Sequence, residues 1–265
     1  MSQFISSPHN VHVQQIRALL NQKSERSETG LFVVEGVRLA EEALAGERMP
    51  VQAFFSKAVN ERGMLLIESL ISAGVEVFEL SSPVMENLSA TETSQGILLV
   101  NKQVEESTLP QTDFALVLDQ VRDPGNLGTI LRSAAAAGVK VVFLAPGTAD
   151  AFAPKVVRAG MGAHFRLSIR TATWEEINTY CKETCQPPLK LLLAESGGGE
   201  ACWQVELRSA LALVIGGEAD GASAEARQAV DSLITIPMPG QFESLNAAVA
   251  AGILLFEVVR QRSKL

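Results

Sequence analysis

Short apolar runs recur along the chain, and between them apolar residues fall three and four positions apart, so strand and helix periodicities alternate. Leu31–Glu35 (LFVVE) predicts a buried strand, and Gly36 opens a helical pattern, VRLAEEALAG, that Gly46 closes. Val51–Ser56 predicts a second strand, Met64–Ala73 a helix stopped by Gly74, and the following VEVFEL a third strand. Ser82-Pro83 begins a short helix, since proline suits a first turn, and Gln95-Gly96 leads into the strand ILLV. A polar run over 101–113 (NKQVEESTLPQTD), containing Pro110, separates two apolar regions. The expected division is a first domain over 1–105, a linker over 106–113 and a second domain over 114–265.

The second part is more regular. FALVLD (114–119) predicts a buried strand, DPGNLG a turn, and Thr129–Ala137 an alanine-rich helix. Val139–Leu144, Leu189–Ala194, Leu211–Ile215 and Leu233–Ile236 predict further strands with helical stretches between them. Continuous apolar strands alternating with helices imply a mostly parallel sheet covered on both faces. The fold class expected is therefore α/β throughout, in two domains.

Composition narrows the function classes. Of 265 residues, 47% are hydrophobic and 20% charged, which excludes a disordered chain. Three cysteines supply no disulfide framework, and the first residues lack the basic and apolar regions of a signal peptide, so a reducing cytoplasm is expected. The longest apolar stretch, Ala247–Phe256, is far short of the ~20 residues that span a bilayer. The net charge of −8 argues against a nucleic-acid partner, but its distribution does not. Residues 120–170 carry Arg122, Arg132, Lys140, Lys155, Arg158, Arg166 and Arg170 against only Asp123 and Asp150. That local basic segment is compatible with phosphate binding.

Three segments of the second part place turn chemistry after a strand, where open α/β sheets bind ligands. In LDQVRDPGNLGTILRSAAAAG (118–138), Gly125 and Gly128 allow close approach of backbone to a ligand. If Thr129 opens the helix, Arg132 lies about one turn in and can reach a phosphate near its N-terminus. In LALVIGGEADGAS (211–223), a strand runs into Gly216-Gly217, Glu218 and Gly221, without the spacing of a dinucleotide fingerprint. In LITIPMPGQFESLNAAVAAGILLFEVVRQR (233–262), a strand ends at Pro237-Met238-Pro239-Gly240, and Ser244 is placed to cap a helix running to about Arg262. That helix is apolar on nearly every side, as buried helices are, so Asn246 at its start needs a partner for its amide.

Taken in order, VRDPGNLGTILRSAAAAG, LVIGGEADGAS and ITIPMPGQFESLNAAVAAGILLFE resemble the SpoU (TrmH-like) branch of the SPOUT RNA methyltransferases. FVVEGVRLAEEAL (32–44) and SQGILLV (94–100) resemble the family's substrate-binding extension, an L30e-like α/β domain. The resemblance implies a C-terminal α/β knot, a deep trefoil, with a mostly parallel sheet, and a homodimer formed through it. It also implies S-adenosylmethionine as cofactor and a ribose 2′-hydroxyl of RNA as methyl acceptor, ribosomal RNA of the 23S type being favoured by the extra domain. By position in the motifs, Arg132, Asn126, Glu218, Ser244 and Asn246 are the implied catalytic residues. Gly217, Glu218, Ile236, Met238, Leu245, Asn246 and Ala247 are the implied cofactor-binding ones. Arg38, Arg122, Arg132, Lys155 and Arg158 are the candidates for RNA contact. Glu243 departs from the small polar residues common before the motif serine and brings a carboxylate close to the pocket.

The implied chemistry needs a ribose hydroxyl to lose its proton as it attacks a sulfonium methyl. The motifs contain no histidine, and a guanidinium pKa above ~12 makes arginine a poor base. Arg132 is therefore expected to clamp a phosphate beside the ribose and stabilise the developing alkoxide, with Asn126 and Glu218 orienting it. No metal site is expected: Cys181, Cys185 and Cys202 lack histidine partners nearby. His9 and His12 are expected in a mobile N-terminus, and His164 on the surface. Trp174, Trp203 and Tyr180 form no stacking series for bases. The other readings are a tRNA-directed enzyme, a catalytically silent RNA-binding member of the fold, and an NAD-type oxidoreductase, which the missing fingerprint disfavours.

Overall fold

A strand, β1 (Gln3–Ile5), precedes the first predicted element, and the helices α1 (Val11–Asn21) and α2 (Lys23–Thr29) follow it. The computed structural model describes residues 3–46, 48–89, 94–103, 109–218, 221–240 and 243–263. The expected linker at 106–113 falls partly outside these. Strand β2 (Leu31–Glu35), α3 (Val37–Ala45), β3 (Gln52–Phe55), α4 (Glu61–Ser72), β4 (Glu76–Leu80), α5 (Ser82–Leu88) and β5 (Ile97–Lys102) complete the N-terminal series. The sheet order is β1-β4-β3-β5-β2, with β1, β4 and β3 parallel and β5 antiparallel to both its neighbours. One face packs Phe54, Phe78 and Leu98 with Ile16 and Leu19 of α1, and the other packs Phe32, Ala53 and Leu99 with Ala40 of α3 and Ile67 of α4. The expectation of a mobile N-terminus is thus corrected. Asn10 caps α1 by accepting from the His12 N–H, and the His12 ring centre lies 4.3 Å from that of Phe78.

The second series begins with β6 (Phe114–Asp119), α6 (Pro124–Ala136) and β7 (Val141–Leu144). Helix α7 (Pro154–Gly160) and a 3₁₀ turn (Ala163–Phe165) follow. Then come β8 (Ser168–Thr171), α8 (Trp174–Thr179) with a π-type turn (Tyr180–Thr184), β9 (Lys190–Ala194) and β10 (Glu200–Ala201). Strand β11 (Leu211–Gly216), α9 (Ala224–Ala229), β12 (Ser232–Thr235) and α10 (Ala247–Arg262) close the chain. Two compact units result, Met1–Glu105 with Phe152–Phe165, and Glu106–Ala151 with Arg166–Leu265. The 152–165 segment joins the first unit because it is apolar: Val157 and Phe165 pack with Phe32, and His164 is 3% exposed with its ring 5.6 Å from that of Phe152. His164 is therefore a core residue, not a surface one, and the basic segment 120–170 is divided between the two units.

All seven strands of the second sheet run parallel, in the order β10-β12-β9-β11-β6-β7-β8. Its central strands read as unbroken apolar runs because both faces are covered. Val117, Phe143, Leu193 and Val214 face Trp174, Ile177 and Ala226, while the alternate residues Leu116 and Leu213 are equally buried on the other face, where α10 contacts both α6 and β11. The register decides where the site lies. Asp119 pairs with Gly216, Ile215 with Ala194, and Ala194 with Ile234, so four strands end side by side. Among the described residues no helix is long and apolar enough to cross a membrane. The three cysteines are buried and reduced, and burial pushes the Cys181 thiol up to about 12, so it carries no thiolate at neutral pH.

Candidate active site

Helix α6 starts earlier than its sequence suggests. Asp123 caps it, its Oδ1 accepting from the Asn126 N–H at 2.8 Å, and Pro124 fills the first helical position, where its missing N–H costs nothing. DPGNLG is therefore the first turn of the helix and not a loop. Asn126 sits in that turn, and Arg132 lies more than two turns in, roughly 12 Å along the axis from Pro124 at 1.5 Å per residue. Arg132 is exposed and shares its stripe with Gly125 and Thr129, so only small side chains lie between it and the helix N-terminus.

The loop after β11 is folded tightly on itself. The Gly217 N–H donates to the Gly221 carbonyl at 3.1 Å, and Gly221 has a φ of +68° that suits glycine. Gly217 also abuts Gln120, which turns the chain after β6 in a left-handed conformation of φ 58°. A Cβ on Gly217 would lie 2.3 Å from the Gln120 carbonyl oxygen. Gly217→Ala is accordingly expected to displace the loop and abolish measurable binding of the S-adenosylmethionine that the sequence resemblance implies, while far-UV circular dichroism stays that of the folded chain. Unchanged affinity by calorimetry would contradict the close approach.

Helix α10 begins at Ala247, and its cap is Asn246, not Ser244. The Asn246 Oδ1 accepts from the N–H groups of Ala248 (2.9 Å) and Val249 (3.2 Å), which leaves its amide nitrogen to act elsewhere. That nitrogen donates to Asn126 Oδ1 at 3.0 Å, and Asn126 Nδ2 donates in turn to Glu218 Oε1 at 2.8 Å. The Arg122 N–H approaches the other carboxylate oxygen at 3.4 Å. One chain of hydrogen bonds therefore joins all three sequence motifs. It also fixes which way each amide points, since a carboxylate only accepts.

Beside this chain lies a cavity of about 670 Å³, within the range that takes a drug-sized ligand. Gly217, Glu218, Ile236, Met238, Ser244, Leu245, Asn246 and Ala247, all picked out from the motifs, line it, as does Glu243. Asn126 touches Glu218 and Asn246 without being part of the wall, and Arg132 does not line the cavity. Arg122 lies exposed beside Gln120. Arg38, Lys155 and Arg158 belong to the first unit, Arg38 and Lys155 exposed and Arg158 half-buried. Residues 219–220 and 241–242 of the motifs lie outside the described residues.

The structure adds wall residues that motif reading missed, chiefly Ala194 at the end of β9, Glu195 and Ser196 after it, and Arg227, which forms an ion pair with Glu195. The run LLLAES followed by three glycines was the available signal, because a strand end beside β11 obeys the same carboxyl-edge rule. The walls have two characters. Among the described residues, Ile215, Ile236, Met238 and Leu254 offer an apolar slot, while Glu195, Glu218 and Glu243 outnumber the guanidinium of Arg227. Such a pocket suits a ligand with a flat apolar portion and a positive centre.

Residues 113–256 match the model of the SpoU rRNA Methylase family, and residues 10–99 match the MRM3-like substrate binding domain. The 23S rRNA (guanosine(2553)-2′-O)-methyltransferase RlmP of Bacillus subtilis is 34% identical over 90% of this chain and 92% of its own length. The human mitochondrial rRNA methyltransferase 3 is 32% identical over 96% of this chain and 73% of its own. An AdoMet-bound rRNA methyltransferase from Sinorhizobium meliloti superposes with a TM-score of 0.85 at 28% identity, covering 98% of both chains. The SpoU methyltransferase AviRb of Streptomyces viridochromogenes, also with AdoMet, gives 0.81 at 27% identity, covering 96% of this chain and 98% of that one. With one family model matching more than half its residues and relatives aligned along most of its length, the protein belongs to the SpoU rRNA methylase family.

Proposed function

We propose that the cavity at the ends of β9, β11 and β12 holds S-adenosylmethionine, and that the protein directs its methyl group to a ribose 2′-hydroxyl of ribosomal RNA. Membership of the family makes the chain an S-adenosylmethionine-dependent RNA ribose methyltransferase. The observation that carries the site is the hydrogen-bond chain Asn246–Asn126–Glu218 against a cavity lined by the strand ends. Gly216, Gly217 and Gly221 would let main chain approach the ligand, Ile236 and Met238 would offer its base an apolar surface, and the surplus of carboxylates would favour a sulfonium. When bound, that sulfonium supplies an electrophilic methyl group.

The chain's own groups do the rest. Glu218, fixed by Asn126, orients the polar wall. Arg132 grips the phosphate next to the target ribose and stabilises negative charge as the hydroxyl loses its proton. Ser244 and Asn246 complete the wall. RNA is held by the first unit, with Arg38 at the start of α3 and Lys155 and Arg158 on α7, and by Arg122 in the second. Three buried thiols fit a reducing compartment, the cytoplasm where ribosomal RNA is made and used.

The reading includes a homodimer. Val249, Ile253 and Phe256 are 51%, 39% and 49% exposed and fall at i, i+4 and i+7, an apolar stripe on α10 that a second copy would cover. Phe256→Glu is expected to halve the mass measured by light scattering, and a mass equal to that of the wild type would remove α10 from the interface. Mapping ribose methylation across total RNA in a strain lacking the protein tests the function as a whole. Loss of one 2′-O-methyl group from ribosomal RNA is the expected result; loss from a tRNA alone, or no loss, would overturn the assignment.

A further inference from the structure

Asp119 ends β6 with 1% of its surface exposed, and no motif role accounts for a carboxylate so deeply buried. Three donors satisfy it. The Ser223 N–H reaches Oδ2 at 2.6 Å, and the Ser223 hydroxyl and the Trp174 indole N–H reach Oδ1 at 3.1 and 3.3 Å. Because the hydroxyl donates to Asp119, its lone pairs are free to accept from the Ala226 N–H at 3.1 Å and cap α9. Asp119 therefore joins three strand-end loops, those following β6, β8 and β11.

What it holds is the return limb of the loop that carries Glu218. The outgoing limb is wedged by Gly217 against Gln120, and Gly216 is so close to that return limb that an added Cβ would meet the Ala222 nitrogen at 2.7 Å. The return limb, Gly221 and Ala222, lines the cavity and leads directly into Ser223. We infer that Asp119 is a positioning residue for methyl transfer, one that touches neither substrate but clasps Ser223 and so sets where Glu218 meets Asn126. The inference rests on the cavity being the methyl-donor site. It goes beyond fold maintenance, because the clasp closes a loop whose other contacts belong to the site.

Asp119→Asn keeps shape and volume but turns an amide N–H₂ toward groups that themselves donate. The test measures S-adenosylmethionine binding by calorimetry and single-turnover transfer on ribosomal RNA for the wild type, Asp119→Asn, Glu218→Gln and the double variant. Expected are an affinity loss of about tenfold or more for Asp119→Asn and rate losses that do not multiply in the double variant, since both changes disable one loop. Ser223→Ala, which keeps the 2.6 Å bond, should lose about threefold in affinity and replaces Asp119→Asn in the cycle should that variant fail to fold. Wild-type affinity in Asp119→Asn, or rate losses that multiply, overturns the positioning role. A wild-type protein that binds no donor sinks the site itself, a result distinct from either.

Discussion

Arg132→Ala is expected to lower the single-turnover rate of methyl transfer by about 10²–10³ while leaving donor affinity within about threefold of the wild type. The separation follows from geometry. Arg132 stands on the exposed stripe of α6, outside the cavity wall, so its loss takes nothing from the surface proposed to hold the donor. It removes a cation from the face proposed to meet the RNA phosphate and the developing alkoxide. Arg132→Lys keeps the charge and loses the planar fork, and should recover only part of the rate. Full recovery would reduce the role to charge alone, and a large loss of donor binding in Arg132→Ala would move the residue to the donor side.

Asn246→Ala should strike both stability and binding. The side chain caps α10 through two main-chain N–H groups and fixes Asn126 through a third hydrogen bond. Loss of the cap costs about 1 kcal/mol, a fall of roughly 2–4 °C in Tm for a protein of this size. Loss of the bond to Asn126 frees the amide that orients Glu218, and donor affinity is expected to fall about tenfold to a hundredfold. Asn246→Asp separates the two effects. Its carboxylate still accepts from Ala248 and Val249, so Tm should hold, but it cannot donate to Asn126 and binding should still weaken. Scanning calorimetry and titration of the same samples check both halves, and a Tm loss in Asn246→Asp equal to that in Asn246→Ala would contradict the assignment of the cap.

The strands were legible because a strand buried on both faces must be apolar throughout. LFVVE and FALVLD match β2 and β6 residue for residue. Two of the differences lie at helix starts. Proline and glycine in DPGNLG are turn residues, but Asp123 as a cap makes the same letters a helix N-terminus. At α10 two residues compete, and Asn246 takes the cap because its amide serves the helix and Asn126 at once, whereas Ser244 could serve only one. The N-terminal strand is not evident in the sequence because β1 has three residues, of which only Ile5 is buried. His164 read as a surface residue because the chain between β7 and β8 is basic in composition, while its apolar residues decide that it packs with the first unit. The motif residues of the cavity were read from resemblance; the ion pair of Glu195 with Arg227 and the bonds of Asp119 to Ser223 and Trp174 join positions far apart in the chain that no motif marks.

Diffraction from crystals soaked with S-adenosylmethionine tests whether the cavity is the donor site. Donor density is expected between the Gly216–Gly221 loop and the Ile236–Ala247 segment, with the sulfonium on the side of Glu218. Density at another place, or a cavity that stays empty at saturating donor, would contradict it.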